Sequence, residues 1–423
     1  MFILYQIILS LLILTSPILI IFRIFKGKED KIRFIEKFSI PSKKRSRGKL
    51  IWFHGASVGE ILSIIPLIEK YEKDKSINQI LITSSTLSSS KVLKKFKFKK
   101  TIHQFYPIDH FFFTKKFLEY WKPNLAVFID SEIWPEMFNK LKQKKISLIL
   151  LNARITKKTF LRWSIFKNFS HQVFSKILIA YPQNQETKYF LKKLKIKKIK
   201  TIGNLKFAEH DNDIMNRNKS GYKKLDLNFI NKIKNRKVWC AASTHEPEET
   251  FCAKTHIELK KKNKNLLTIL IPRHVHRAKE IKSKLEALKL NVIKHSSSKK
   301  NLKNTDIYIV DTFGETKKFH KIGCSVFIGG SIINRGGQNP LEAARFGAKI
   351  LHGPNIDNFK DVYKNLSNLK ISKKINSSKE LASAIIFKRN KKLGDKIKKI
   401  GAKILKETIN DLDKLIKNEF KKT

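Results

Sequence analysis

Acid is scarce in this chain: 35 Asp and Glu stand against 89 Lys and Arg, a formal net charge of +54 over 423 residues. A field of that size attracts polyanions, which means nucleic acid, anionic lipid or phosphorylated substrates. Arginine is scarce as well, 13 residues against 76 Lys. Gly and Pro are few, 16 and 11, while Lys, Ile, Asn and Phe are abundant together. That pattern reads as an AT-rich coding bias spread over the surface, not as an Arg-rich reading face. No RNP-like, zinc-finger or helix-turn-helix pattern accompanies it, so no nucleic-acid partner is expected. Cysteine is nearly absent. Cys240, Cys252 and Cys324 form no C-x-x-C pair, which excludes a readable disulfide framework or zinc site and leaves reduced thiols as the default. A hydrophobic share of 41% supplies real cores, and the length suits two domains of ordinary size.

What is present begins at the first residue. Phe2 to Ile21 is almost entirely apolar, interrupted by Gln6, Ser10 and a few small residues. Twenty helical residues rise about 30 Å, the thickness of a bilayer core. Arg23, Lys26, Lys28, Lys31 and Arg33 follow, and a second basic cluster runs from Lys43 to Lys49. With no charged side chain before the apolar run, the positive-inside rule places the bulk of the chain in the cytoplasm. A cleaved signal peptide would carry the opposite charge order. The expectation is an uncleaved anchor over 1–25, spanning the inner membrane or lodged in its inner leaflet. Pro17 marks a place for a kink, and a basic juxtamembrane linker covers 26–49.

Beyond it, short β-rich apolar runs alternate with helical stretches. Strands are predicted at Leu50–Phe53, Ile80–Thr83, His103–Tyr106, Leu125–Ile129, Ser147–Leu151 and Ile177–Tyr181. A second series falls at Val238–Ala242, Leu267–Ile271, Ile307–Val310, Val326–Ile328 and Lys349–Leu351. Near-continuous apolar character suits parallel strands covered on both faces. The reading is an α/β protein with a first domain over 50–206, a polar linker over 207–236 and a second domain with closing helices over 237–423. Ligands in such folds sit at the carboxyl ends of the strands.

Chemistry-bearing residues cluster at those strand ends. The densest block is Gly329-Gly-Ser-Ile-Ile-Asn-Arg-Gly-Gly-Gln-Asn-Pro-Leu-Glu342. Gly329, Gly330 and Ser331 lack bulk that would keep a ligand from the backbone. Asn339-Pro340 opens a helix whose N-terminus offers N–H groups to a phosphate, and Glu342 is suited to accept from ribose hydroxyls. Arg273, followed by His274, ends a strand as a candidate phosphate fork, and Ser243 ends another. In the first half, Ser57, Gly59 and Glu60 form a strand-to-helix turn. Glu60 is placed as a candidate proton acceptor or as a simple helix-start charge. Glu132 and Arg154 follow two further strands.

In order, these blocks resemble the transferases of 3-deoxy-D-manno-octulosonic acid (Kdo). The resemblance rests on the anchor and on the blocks starting at His54, Thr83, Glu132, Asn152, Gly203, Ser243, Pro272, Asp311, Gly329, Gly353 and Asn358. Departures exist: Gly55 stands where many members carry Ala, and Ala208 where Asp is common. The resemblance implies a GT-B fold of two facing Rossmann-like domains, with CMP-Kdo as donor held by the second. It implies inverting transfer to a lipid IVA-type acceptor without metal or cofactor, and with no obligatory protein partner readable. Glu60 would be the general base and Glu132 its helper. Arg273, His274, Ser243, Gly329, Gly330, Ser331, Asn339 and Glu342 would line the CMP pocket. Ser57, Gly59 and Arg154 would face the acceptor, and anionic inner-membrane lipids would attract the basic surface. A nucleotide-sugar epimerase or hydrolase of the same fold is one alternative, and an inactive basic membrane- or nucleic-acid-binding protein another.

Overall fold

The structure, a computed structural model, describes residues 1–208, 227–297 and 302–422. Most of the expected 207–236 linker therefore lies outside the described residues. The chain forms two compact units: Met1–Ile214 with Gly401–Thr423, and Met215–Ile400.

The first unit carries a six-stranded, all-parallel sheet. Its strands are β1 (Leu50–His54), β2 (Gln79–Ser84), β3 (Thr101–Phe105), β4 (Leu125–Ile129), β5 (Ser147–Ala153) and β6 (Ile179–Pro182), in the order β3-β2-β1-β4-β5-β6. Every residue of β1, β2 and β4 is buried, which is why these stretches read as unbroken apolar runs rather than alternating ones. Trp52 sits at the centre, ringed by Tyr106, Phe117 and Phe128. The order of strands reverses between β1 and β4. That reversal opens a crevice beyond their carboxyl ends.

The second unit carries seven parallel strands. They are β7 (Lys237–Thr244), β8 (Leu266–Pro272), β9 (Val292–Lys294), β10 (Ile307–Ile309), β11 (Ser325–Ile328), β12 (Lys349–His352) and β13 (Ser372–Lys374). Their order is β13-β12-β11-β7-β8-β10-β9, so the switch point here lies between β7 and β11. Both edge strands, β9 and β13, have no counterpart among the predicted ones. They are three residues long and β13 exposes two Lys, a short and charged edge that discourages further pairing.

Two parts of the first unit differ from expectation. The segment 26–49 is not a loose linker, because buried carboxylates tie it down. Glu36 accepts from Arg33 at 2.7 and 3.0 Å, from the Phe105 N–H at 2.6 Å and from the Ser42 hydroxyl. Arg33 also reaches His103 and Ser90, so this short 3₁₀ turn (Arg33–Phe38) is stapled to β3. The C-terminal helix (Lys391–Phe420) is the other. Its residues from Gly401 onward belong with the first unit, not with the second. A side chain at Gly401 would collide with the Phe207 carbonyl, and Ile404 fills the space over Gly203. Asp411 pairs with Lys200 at 2.7 Å, and Asp413 pairs with Lys70.

The N-terminal helix (Phe2–Phe25) is long and apolar enough to cross a membrane. It also lies along the first unit. Phe2, Tyr5, Gln6, Leu9, Ile13, Ser16, Ile20 and Ile24 form a partly covered stripe at three- and four-residue spacing. The polar interruptions in the apolar run have partners there. Tyr5 donates to Asp109 at 2.7 Å, Gln6 bonds Glu136 and the Phe111 N–H, and Ser10 meets His110 at 3.1 Å. The opposite face is bare: Ile3 is 78% and Leu14 76% exposed.

Replacing Glu36 by Ala would leave the largely covered Arg33 guanidinium without its carboxylate partner and the Phe105 N–H unpaired. Loss of one side of a buried pair typically costs about 3–5 kcal/mol. Equilibrium denaturation of the detergent-solubilised protein is expected to show a loss of that order for Glu36→Ala.

Candidate functional site

In the first unit the candidate carboxylates meet at the switch point. β1 ends in His54, after which Gly55-Ala56-Ser57 turns into the helix Val58–Glu72. Ser57 caps that helix, and Glu60 closes a capping box. The Glu60 carboxylate accepts from the Ala56 N–H at 2.7 Å and from the Ser57 hydroxyl at 2.8 Å. An added Cβ at Gly55 would come within 3.1 Å of the Glu60 Cβ, so glycine here gives Glu60 room to fold back. Gly59 is exposed and faces open space.

A capping glutamate at an exposed helix start keeps an ordinary acidity. Glu60 does not: burial, then the charges of Glu132 and Asp130, raise its pKa to about 7, against the lowering pull of Ser57 and Ala56. The helix-start and proton-acceptor readings of Glu60 thus describe one side chain in two roles.

Glu132 follows β4. Its Oε2 accepts from the His54 Nε2–H at 3.0 Å and the Trp134 indole N–H at 2.9 Å. Next to it Asp130 is buried, in the left-handed region at φ 60°, and pairs with Lys206 at 3.2 Å. Asn152, near the end of β5, is also left-handed at φ 51° and accepts the Leu205 N–H at 2.9 Å. Non-glycine residues held in this region carry strain that concentrates at functional sites. These contacts bring the Gly203–Phe207 block to the ends of β4 and β5. Arg154 is placed beside it by its backbone N–H, which donates to the Asp130 carbonyl. Lys206, Asp130 and His54 were not among the sequence-derived candidates. Their signal was position within the quoted blocks, but no spacing rule ties residue 54 to 132 or 130 to 206.

The second unit corrects the reading of the glycine-rich block. The backbone of its Gly329–Ser331 turn, read as open to a ligand, has its Gly330 and Ser331 N–H groups already engaged. Glu248, fully buried, takes them instead: Gly330 donates at 2.7 Å, Ser331 at 3.0 Å, Ile332 at 2.9 Å and His245 at 3.0 Å. This is an anion nest filled by the protein's own carboxylate. Gly329 is required for packing, since a Cβ would lie 2.3 Å from the Ser243 carbonyl. Ser331 is buried too; its hydroxyl donates to the Ile328 carbonyl and accepts from the Gly353 N–H. Gly353-Pro-Asn355 and Asn358 brace the loop from outside, through the Asn355 amide on the Ile332 carbonyl and the Asn358 amide on the Arg335 carbonyl.

Two exposed guanidinium groups, those of Arg273 and Arg335, stand by His245 at the edge of that braced loop. Arg273, after β8, is exposed, with no ion-pair partner among the described residues. Arg277, by contrast, is taken by Glu246, Glu249 and Glu280. His245 and His274 stand ring to ring at 5.5 Å. Burial, then His274, Arg335 and Arg273, push the His245 pKa down to about 4; burial and Arg273 lower His274 as well. Arg335 thus joins this positive cluster, a member the sequence reading left out. Ser243 is left-handed at φ 58° and sits where β7 ends. Asn339 is exposed, and its side-chain oxygen accepts the Leu341 N–H at 3.0 Å where the helix Leu341–Arg345 begins. Glu342 is partly exposed, 3.7 Å from His320. An anion fits this cluster by charge, without the backbone cradle.

Two parallel α/β units with this strand order define a GT-B-type fold. A glycosyltransferase of Rickettsia africae shares it, with a TM-score of 0.57 at 12% identity over 89% of this chain and 100% of that one. A UDP-GlcNAc 2-epimerase of Neisseria meningitidis does so too, at 0.56 and 13% identity over 86% of this chain and 100% of that one. The fold alone therefore does not separate transferase from epimerase. Sequence does. Residues 32–209 match the family described as 3-Deoxy-D-manno-octulosonic-acid transferase (kdotransferase). The 3-deoxy-D-manno-octulosonic acid transferase of Rickettsia bellii is 36% identical over 380 residues, which is 90% of this chain and 89% of that protein. The chain belongs to the Kdo transferase family.

Glu248→Ala would strip four backbone N–H groups of their acceptor. Each unsatisfied buried donor costs about 1–3 kcal/mol. The variant is expected to unfold at clearly lower denaturant concentration than wild type. Glu248→Gln, which keeps one acceptor oxygen, should fall between the two.

Proposed function

We propose that this protein transfers Kdo from CMP-Kdo to a lipid A precursor of the lipid IVA type, with inversion and with Glu60 as general base. The observation that carries the base assignment is a half-buried carboxyl whose pKa is raised to about 7 beside two other acids. A base performs best when its pKa lies near the working pH. In the reaction, ionised Glu60 takes the proton of the acceptor hydroxyl as that oxygen attacks the anomeric carbon. The bond to the departing CMP phosphate breaks with its electron pair. Inversion needs only this one base. The guanidinium groups of Arg273 and Arg335, with the His274 ring beside them, suit the donor's anionic phosphate as charge grows on it. Ser243, Asn339 and Glu342 stand at the same strand ends and are assigned to the nucleotide. Ser57, Gly59 and Arg154 are assigned to the acceptor side.

The N-terminal helix supports an in-plane attachment to the inner membrane. One stripe is engaged by the protein and the opposite apolar face is bare, so the helix suits immersion in one leaflet better than a free span. The basic surface, at +54, would add attraction to anionic lipid and to the phosphates of the acceptor.

Glu60→Gln is expected to lower transfer by roughly 10²–10⁴-fold with little change in CMP binding; a rate near wild type overturns the base assignment. The sign of the pH effect follows from the shift. Glu60 must be ionised to act, so wild-type kcat/KM should fall as pH drops through about 7. Glu132→Gln removes a negative neighbour, so its acid limb should move to lower pH. For the attachment, a protease-cleavable tag at the N-terminus should be cut in inverted membrane vesicles and protected in spheroplasts. A spanning helix gives the reverse.

A further inference from the structure

His54 has no assigned task in the reading above, yet it is fully buried at the end of the central strand, with both ring nitrogens engaged. Its Nδ1 lies 2.9 Å from the Thr83 hydroxyl and 3.2 Å from the Thr83 carbonyl; its Nε2 lies 3.0 Å from Glu132 Oε2. Trp52 constrains the proton arrangement. An indole nitrogen only donates, so Thr83 Oγ1 accepts from Trp52 Nε1 at 2.8 Å. The Thr83 hydroxyl can still donate to His54 Nδ1 or accept from it, so the ring proton is fixed from the other side, where a carboxylate oxygen only accepts and requires an N–H at Nε2. A neutral ring protonated on Nδ1 alone would instead set a nitrogen lone pair against the Glu132 oxygen. The imidazolium also carries the Nε2 proton, so every form compatible with these contacts donates to Glu132.

The ring is locked in orientation as well. It stacks on Tyr106 at 3.9 Å between centroids and meets Phe128 edge-on at 5.0 Å. Strand pairing sets His54 opposite Thr83 on β2 and opposite Phe128 on β4. The relay Trp52–Thr83–His54–Glu132 is therefore built into the register of three strands.

We propose that His54 is a positioning residue that holds Glu132 beside Glu60, so that the spacing of the two carboxyl groups is set by the sheet rather than by the mobile end of a glutamate. This rests on the assignment of Glu60 as base. The charged and titratable groups around the pair are Asp130 with its partner Lys206, Glu132 itself, and His54; Trp134 and Ser57 supply neutral donors. Without the His54 N–H, Glu132 keeps only the Trp134 bond and can swing away. Glu60 then loses a repelling neighbour and becomes more acidic, and the pair loses its alignment.

The test measures kcat and KM for CMP-Kdo against pH in His54→Ala, His54→Gln, Glu132→Gln and the double variant His54→Ala/Glu132→Gln. His54→Ala is expected to lower kcat roughly 10- to 100-fold, the scale of a small misplacement, with the donor KM unchanged. Its acid limb should shift to lower pH, as in Glu132→Gln. His54→Gln places an amide N–H near the position of Nε2 and should recover the limb and most of kcat. The double variant should be no slower than Glu132→Gln alone, because both changes break one relay. A wild-type acid limb in His54→Ala, a multiplicative loss in the double variant, or His54→Gln no better than Glu132→Gln each overturns the proposal. If His54→Ala does not fold, the comparison of His54→Gln with Glu132→Gln decides by itself. Failure of the base assignment looks different: Glu60→Gln would then turn over near the wild-type rate whatever the His54 variants do.

Discussion

A parallel sheet covered by helices on both faces has few places where a polar side chain meets a ligand, and the carboxyl ends of its strands are the main one. Both units obey that constraint. In the first, His54 ends β1, Asp130 and Glu132 follow β4, and Asn152 is the last residue but one of β5. In the second, β7, β8 and β11 end in Ser243 with His245, Arg273, and the glycine-rich turn. Left-handed backbone at Asp130, Asn152 and Ser243 occurs at these ends. The covered sheets hold these three conformations in place beside the proposed chemistry.

The scarcity of acid takes on meaning in this setting. With 35 acidic residues in 423, surface ion pairing is not where they matter most. Glu36 holds the segment after the anchor, Asp109 starts the helix Pro135–Gln143 and receives Tyr5, and Glu248 fills the nest of the glycine-rich turn. All three are buried. Lysines cover the outside while buried carboxylates organise turns and helix starts, where backbone N–H groups have no partner of their own. The Tyr5, Gln6 and Ser10 bonds tie the apolar N-terminal helix to the first unit and leave its other face exposed.

The candidate site divides along the same line. Glu60 is held by its own helix start, a local capping box that any strand-to-helix turn of this sequence would form. Its acidity is not local. It comes from burial and from Glu132 and Asp130, which lie some seventy residues away in the chain. In the second unit the Gly329–Ser331 turn, with every mark of a phosphate loop in sequence, is occupied by Glu248. The exposed guanidinium groups near it are those of Arg273 and Arg335.

The sequence by itself determined the class of fold, eleven of the thirteen strands among the described residues, the apolar helix and the family blocks. Those signals are local, because apolar runs, glycine turns and short motifs are set by neighbouring residues and by burial on two faces. Blind spots came with the same cause. The three-residue edge strands β9 and β13 carry no apolar run to detect, and Lys-rich 401–422 reads as an ordinary closing helix although its partners, Lys70, Lys200 and Phe207, belong to the first unit. Only the tertiary structure decided which backbone N–H groups remain free, which carboxylates repel one another, and that His54, across the register of β1, β2 and β4, reaches Glu132. Those are distances between residues far apart in the chain, and no local pattern carries them.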